Sequence, residues 1–400
     1  MSNSSNSHLK DLKGTSELAV DAVHAVTDIV ESTHLAISSL GGILGPPNQQ
    51  RTRGIPGLVY GNIRLLTTLI GKCLEVPLGL IESNATHREP TLFRESIVSA
   101  LNGALGDYLL ARGNPLAITM QLRQGGQSLS VEQFKYTVSK SKGRILLLVH
   151  GSSMSDLQWQ KAGHNHGAAI ADELGMVPVY LHYNSGLHIS TNGQLLAQLL
   201  EAYLGDLDNP IELSVIAYSM GGLVSRSAHY YSELYQLTWT KYLKNLIFLG
   251  TPHHGALLER SANWGEQLLK MTPYSAPFAK ISRIRSQGIT DLRYGNILDE
   301  DWQGRDRFSL TEDHRTPLPL PNSVRSYAIA GITRSQSSLV GDHLIGDGLV
   351  TVNSALGQHT DMRFRLEFPS DQVSVFLKTS HFDLLNSPKV FKLLRDWLKN

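Results

Sequence analysis

The chain has 400 residues, of which 41% are hydrophobic and 18% charged, a composition typical of a globular protein with a sizeable core rather than a disordered chain. Its 36 basic and 35 acidic side chains give a formal net charge of +1, so it lacks the basic field that a nucleic-acid partner requires. The single cysteine, Cys73, excludes an internal disulfide. Residues 1–8 lack the pattern of a secretory signal, so we expect a cytoplasmic location.

Residues 1–113 are predicted to form a helical N-terminal extension. Apolar residues recur at helical spacing after Glu17 and again from Leu58 to Glu75, and a third helix is expected near residues 93–110. The second segment carries three charged residues, each costing about 2.5–3.5 kcal/mol at the centre of a bilayer, which argues against a membrane-spanning helix. Two alternatives stay open: the helices cover the rest of the protein, or their apolar face makes a peripheral contact with a membrane.

Residues 114–400 are predicted to form an α/β domain. A hairpin is expected between Leu116 and Val131, and later apolar runs alternate with helical patterns, which favours right-handed crossovers and a mainly parallel, doubly wound sheet. Residues 257–322 do not follow this alternation of strands and helices. An insertion of that length inside an α/β domain is expected to cover the active site as a lid. The expected strands after the hairpin are residues 144–149, 177–182, 213–217, 245–249, 326–331 and 373–377.

The segment around Ser219 indicates a nucleophilic serine. An apolar strand, Leu213 to Ala217, runs almost directly into this serine, and a helical pattern follows it at once. A serine on a sharp strand-to-helix turn needs small neighbours, which Ala217 and Gly221 supply. Its hydroxyl then stands clear of the sheet, while the Met220 amide faces a developing oxyanion. The alternative is a serine in an ordinary turn, so the interpretation requires partner residues.

A second turn supplies the other half of an oxyanion hole. His150 and Gly151 follow the apolar strand that ends at Val149, and the glycine allows a tight turn. We assign the second oxyanion-binding amide to Ser152. The alternative is a turn in which the glycine only relieves backbone strain.

An acid and a histidine follow in the order that a catalytic triad requires on this type of sheet. Asp347 lies between two glycines on a predicted tight turn and is preferred over Asp342 as the acid. His381 follows the last predicted strand and is the expected base. His253 and His254, at the end of an earlier strand, are predicted to line the rim of the site, and no metal site is expected because adjacent histidines point apart.

These motifs resemble the esterase/lipase branch of the α/β-hydrolases over roughly residues 114–400. Within that branch the chain is most similar to bacterial relatives of the GPI inositol-deacylase-like proteins and to bacterial triacylglycerol lipases. The resemblance implies an α/β-hydrolase fold with Ser219, Asp347 and His381 as catalytic residues and oxyanion amides at Ser152 and Met220. The chain departs from the family at positions 217 and 218, where Ala-Tyr replaces the usual Gly-His. The motifs are HGSSMSDLQW, YNSGLHISTNG, AYSMGGLVSRS, LGTPHHG, GDGLVTVNSA and SHFDLL.

The expected function is therefore hydrolysis of carboxylic esters, with a lipid or another acyl ester as substrate and no cofactor. Two alternatives stay open. The same residues could hydrolyse thioesters or amides or transfer acyl groups, or the chain could be a binding protein that keeps the fold without the activity.

Overall fold

The structure, a computed structural model, describes only part of the chain. The expected helices between residues 17 and 75 lie almost entirely outside the described residues. Within the described ranges, no helix combines the length and hydropathy that crossing a bilayer requires. Those ranges are residues 13–14, 17, 21, 92–141, 143–205, 207, 211–256, 285–307, 312–334 and 346–399.

Contacts divide the chain into two compact units. The smaller unit consists of residues 1–89 and 111–117. In its described part, the Asn114 side-chain amide donates to the Gly14 carbonyl and to Glu17 Oε2, both at 3.2 Å. The larger unit consists of residues 90–110 and 118–400 and contains the whole sheet.

The described part of the chain contains eight strands and eight α-helices. The strands are β1 (Gln121–Gln124), β2 (Gln127–Ser128), β3 (Arg144–Val149), β4 (Val177–His182), β5 (Glu212–Tyr218), β6 (Leu243–Leu249), β7 (Arg325–Ile332) and β8 (Val373–Leu377). The helices are α1 (Leu92–Ala111), α2 (Val131–Lys140), α3 (His166–Leu174), α4 (Ile189–Leu204), α5 (Met220–Leu234), α6 (Gln287–Asp291), α7 (Val352–Ala355) and α8 (Pro388–Lys399).

One sheet unites all eight strands, in the order β2-β1-β4-β3-β5-β6-β7-β8. Strand β1 pairs antiparallel with β2 and β4, and every other pair is parallel. The predicted α/β class with a mainly parallel sheet is therefore confirmed. Because β3 to β7 lie side by side and run the same way, their carboxyl ends form one edge, where ligands bind in open sheets of this kind.

Both faces of the sheet are covered, which explains why the central strands are continuous apolar runs. In β5, Leu213, Val215 and Ala217 face a core shared with α2, α4 and α5, while Ile216 and Tyr218 face a second core shared with α3 and α8. Strand β3 alternates in the same way. Apolar side chains on both faces therefore fix the register of these strands from each side.

Most expected elements are confirmed, with bounds that match for β3, β4 and β8. The predicted hairpin is present, but its first strand begins at Gln121 rather than near Leu116, and residue 131 opens helix α2 instead of extending a strand. The described parts of the 257–322 insertion contain α6 and a 3₁₀ turn at Asp299–Asp301, and no strand. The rest of the expected lid lies outside the described residues.

Candidate active site

Ser219 lies on a strained turn between β5 and α5. Its φ of 53° and ψ of −124° fall outside the regions that residues with a side chain favour, a conformation that costs on the order of 1–3 kcal/mol. The strain is held from both sides: the Ser219 amide donates to the Leu249 carbonyl at 2.9 Å, and the Gly222 amide donates to the Ser219 carbonyl at 3.0 Å. The turn therefore presents a partly exposed serine at the carboxyl edge of the sheet.

Gly221 allows α5 to begin directly beneath the end of β3. A Cβ atom at this position would lie 2.5 Å from the Val149 carbonyl oxygen and 2.6 Å from that of His150. Both are backbone atoms, so no side-chain rotation could relieve the clash. The expectation that the serine needs a small neighbour on this side is confirmed.

The turn after β3 lies against the serine. A Cβ atom at Gly151 would be 3.1 Å from Ser219 Cβ, so the two turns touch. Among the described residues, the amides of Ser152 and Met220 donate to no protein group, whereas the next amide in the turn, that of Ser153, donates to Ser185 Oγ at 2.9 Å. The two amides expected to bind an oxyanion are thus the ones available to a ligand.

His150 is buried beneath this turn and is neutral at ordinary pH. Its Nδ1 lies 2.8 Å from the Gly151 carbonyl, and because a carbonyl only accepts, Nδ1 carries the proton. Its ring stacks on Tyr183 with 4.3 Å between centroids, and the Tyr183 hydroxyl donates to the His150 carbonyl. Burial lowers the pKa of His150 to about 3.

Asp347 and His381 form a buried pair. His381 Nδ1 donates to Asp347 Oδ2 at 2.6 Å, and the two side chains are 3% and 1% exposed. The other carboxylate oxygen accepts from the backbone amides of Leu349 and Val350 at 3.0 and 2.9 Å. The carboxylate thus fixes the imidazole tautomer with the proton on Nδ1, which leaves Nε2 as the basic nitrogen. Asp342, the other candidate acid, lies outside the described residues.

Tyr218 connects the serine turn to the histidine loop, a role that the sequence did not predict. Its hydroxyl donates to the His381 carbonyl at 3.1 Å, and the two ring centroids are 4.8 Å apart. The residue is 1% exposed, so it supports His381 from below rather than contacting substrate. Burial is the main cause that raises the pKa of its phenol well above the ordinary value.

The sequence-predicted residues meet at one edge of the sheet, although not every expected hydrogen bond is formed. The His381 ring lies against Gly250, where a Cβ atom would be 3.0 Å from Nδ1, and Gly250 follows the residue that accepts from the Ser219 amide. Among the described residues, the ring bonds to Asp347 and not to the Ser219 hydroxyl. Catalytic hydrogen bonds are often long without substrate and tighten when it binds.

The expectation that His253 and His254 line an open rim is wrong. Both are buried, with 0% and 8% exposure. The first packs edge-on against Phe248, with 4.7 Å between ring centroids, and Arg315 donates to its carbonyl at 2.9 Å. Burial lowers the pKa of His254 to about 3. These histidines therefore act as neutral core residues that fix the turn after β6.

A buried group of charged side chains lies beside the turn after β3. Glu95, Asp156 and His182 bring potential metal-ligating atoms together. A guanidinium nitrogen of Arg123 lies 2.8 Å from Glu95 Oε2 and 3.1 Å from Asp156 Oδ1. Burial alone would raise the pKa of Asp156, but its contact with His182 and the Arg123 charge outweigh that effect and lower it. The arginine already supplies the positive charge that the carboxylates need, so we interpret the group as an ion-pair network.

A family model and several solved structures are similar to parts of the chain. Residues 120–290, less than half of the chain, match the model of a family described as a domain of unknown function (DUF7379). No curated protein matches the sequence. The chain is similar to mature Bacillus licheniformis lipase BlEst2, with 20% identity over 70% of this chain and 98% of that one and a TM-score of 0.42.

Two further solved structures are similar over most of the chain. Aspergillus fumigatus lipase B is 13% identical over 72% of this chain and 57% of that one, with a TM-score of 0.41. A type II thioesterase, YbtT, from the yersiniabactin pathway is 17% identical over 64% of this chain and 91% of that one, with a TM-score of 0.37. The strand order and the serine turn between β5 and α5 are those of an α/β-hydrolase fold.

The buried neutral state of His150 predicts a specific pH dependence of stability. The unfolded chain protonates this histidine near pH 6.5, whereas the folded chain does so only near pH 3, so stability is lost as the pH falls between those values. Replacing His150 with Phe keeps a ring against Tyr183 and removes the titration. We expect the slope of unfolding free energy against pH to decrease by up to about 1.4 kcal/mol per pH unit in that window, measured by denaturant titration.

The matched control is His314→Phe, at an exposed histidine. An unchanged slope in the His150 variant would contradict the assignment of a neutral buried imidazole.

Proposed function

We propose that the chain is a serine hydrolase of carboxylic esters in which Ser219 is the nucleophile, His381 the base and Asp347 the orienting acid. The observation that carries the proposal is the buried 2.6 Å hydrogen bond from His381 to Asp347 beside the strained serine turn. A buried carboxylate that fixes a neutral imidazole next to a serine is the arrangement that activates serine nucleophiles.

In the proposed reaction, Ser219 Oγ attacks the carbonyl carbon of the ester while its proton passes to His381 Nε2. The carbonyl π electrons move to oxygen, which forms a tetrahedral oxyanion. Collapse of this intermediate breaks the bond to the alcohol, which leaves with the proton from His381. Water then attacks the acyl-enzyme by the same sequence, releasing the acid and free serine. Throughout, Asp347 stays ionised and stabilises the imidazolium that forms.

The amides of Ser152 and Met220 would hold the oxyanion. They come from two different turns, and neither donates to another protein group among the described residues. Donors that are fixed before the reaction need no reorganisation when charge develops. One such donor is typically worth about 2.7–4 kcal/mol of barrier, or a factor of 10²–10³ in rate.

The proposed substrates are acyl lipids or similar apolar esters, in line with the resemblance to the GPI inositol-deacylase-like branch and to bacterial lipases. The support is the insertion at residues 257–322 and the amphipathic pattern of the N-terminal extension. A peripheral membrane contact through that extension stays a prediction, as does the cytoplasmic location.

The first prediction for this function is that a fluorophosphonate probe labels Ser219. Phosphonylation of a serine requires the activated hydroxyl that the His381–Asp347 pair provides. Intact-mass and peptide mass spectrometry should locate one adduct on the Ser219 peptide. Ser219→Ala should not react, and Ser225→Ala, which changes a buried serine one and a half turns further along α5, should react like wild type. Folded wild-type protein that stays unlabelled would overturn the proposal.

The second prediction concerns the acid. Replacing Asp347 with Asn removes the charge opposite the imidazolium and allows the wrong tautomer, so kcat should fall by about 10⁴ on a soluble short-chain ester. The matched control is Asp371→Asn, at an exposed carboxylate, with kcat close to wild type. If the Asp347 variant kept kcat within a few-fold of wild type, Asp347 could not be the orienting acid.

The third prediction separates ester hydrolysis from the other reactions of this fold. Matched substrates with one acyl chain linked as ester, thioester or amide should give the highest kcat/KM for the ester. The same series at several acyl lengths, with Ser219→Ala as the blank, measures chain-length preference. A thioester or an amide that turns over faster than the ester would replace the proposed reaction class while leaving the nucleophile unchanged.

A further inference from the structure

Helix α1 packs directly on the oxyanion turn, defined here as residues 150–156. A Cβ atom at Gly103 would lie 2.0 Å from Ser153 Oγ and 2.8 Å from Ser153 Cα. The second distance is to the backbone, so only a glycine allows the helix to approach this closely. Ser153 itself has a φ of 60°, in the left-handed region that residues with a side chain seldom occupy. The helix therefore contacts the turn at its most strained residue.

A second connection joins α1 to the last residue of the oxyanion turn. Glu95 on the first turns of the helix and Asp156 at the end of the oxyanion turn are bridged by one guanidinium nitrogen of Arg123. Glu95 and Asp156 side chains are 3% and 2% exposed, so the bridge is shielded from solvent screening. Removing one partner of such a buried group leaves the remaining charges less well compensated.

A third connection runs through the loop after β4. The Ser153 amide donates to Ser185 Oγ at 2.9 Å, and the neighbouring Asn184 side-chain amide donates to the Gly106 carbonyl on α1 at 3.0 Å. The first bond engages the Ser153 amide, whereas the preceding amide, that of Ser152, donates to no protein group among the described residues. One helix thus holds the oxyanion turn at its middle residue, at its last residue and through a neighbouring loop.

We propose that α1 is a positioning element of the oxyanion hole, with Gly103 as the residue that sets the position of the Ser152 amide. The inference rests on the proposed hydrolase function, which supplies the oxyanion. Donors stabilise a developing oxyanion only at about 2.7–3.1 Å. If the turn moves by a few tenths of an ångström, the hydrogen bonds to the oxyanion weaken, and this destabilises the transition state more than the ground state. Helix α1, which precedes the sheet in sequence, therefore influences kcat because it supports the turn that carries the Ser152 amide.

The test is Gly103→Ala in the full chain, assayed on a soluble short-chain ester. The added methyl group must push Ser153 away, so kcat per fluorophosphonate-titrated site should fall about ten- to a hundredfold while KM changes little. The control for lost stability is Val138→Ala in α2, a buried residue away from the oxyanion turn, which should lower the melting temperature and keep kcat. Adding Ser153→Gly to the Gly103 variant removes the clashing Oγ and Cβ atoms and should recover part of the lost kcat.

Hydrogen–deuterium exchange provides a readout that needs no activity. Gly103→Ala should speed exchange in peptides covering residues 150–156, and Val138→Ala should not. If Gly103→Ala fails to fold, Glu95→Gln is used instead, because it weakens the second connection without adding volume. This variant should also lower kcat and speed exchange in residues 150–156, but by less. The inference would be overturned if the wild type is active and the α1 variant has the same kcat and the same exchange rates as the wild type. If the wild type is inactive but the variant exchanges faster than the wild type, the hydrolase function is overturned, while the contact between α1 and the oxyanion turn is supported.

Discussion

The contact between the end of β3 and the start of α5 is the constraint on which the rest of the site depends. Gly221 brings the helix against the carbonyls of Val149 and His150, and the same contact fixes the start of the helix, which carries the Met220 amide. The strain at Ser219, on the order of 1–3 kcal/mol, is tolerated because its amide bonds to the end of β6 and its carbonyl accepts from Gly222 at the start of α5. A looser helix would relieve that strain and also move the Met220 amide, so helix packing and the proposed oxyanion hole cannot be varied independently.

The buried titratable groups near the serine turn have two different kinds of surroundings. Two backbone amides and an imidazole surround the Asp347 carboxylate and supply hydrogen bonds in place of water. His150 and His254, buried without a carboxylate of their own, have lowered pKa values and stay neutral. The Asp347 carboxylate therefore faces the imidazole that, in the proposed reaction, would receive the serine proton, and His150 and His254 add no competing positive charge.

The sequence predicted the sheet and the candidate triad because both depend on local patterns. Apolar runs with clear boundaries gave β3 and β4 correctly, and the order of Ser219, Asp347 and His381 follows from the fold. The start of α2 was missed although its signal is present: Ser130 and Gln133 form a capping box with both bonds made. The burial of His253 was missed because it depends on Phe248 and Arg315, which no spacing in the sequence brings together.

Contacts between segments that are distant in the chain could not be predicted from the sequence. The residue at position 218 is an example. Tyrosine there departs from the family pattern, and from sequence alone it invites an explanation in terms of substrate. Its side chain is fully buried and its hydroxyl reaches the carbonyl of His381, 163 residues away. The departure therefore belongs to the support of the histidine loop, since a side chain without access to solvent has no access to substrate either. Under the proposed function, we therefore expect substrate preference to come from residues near Ser219 other than Tyr218.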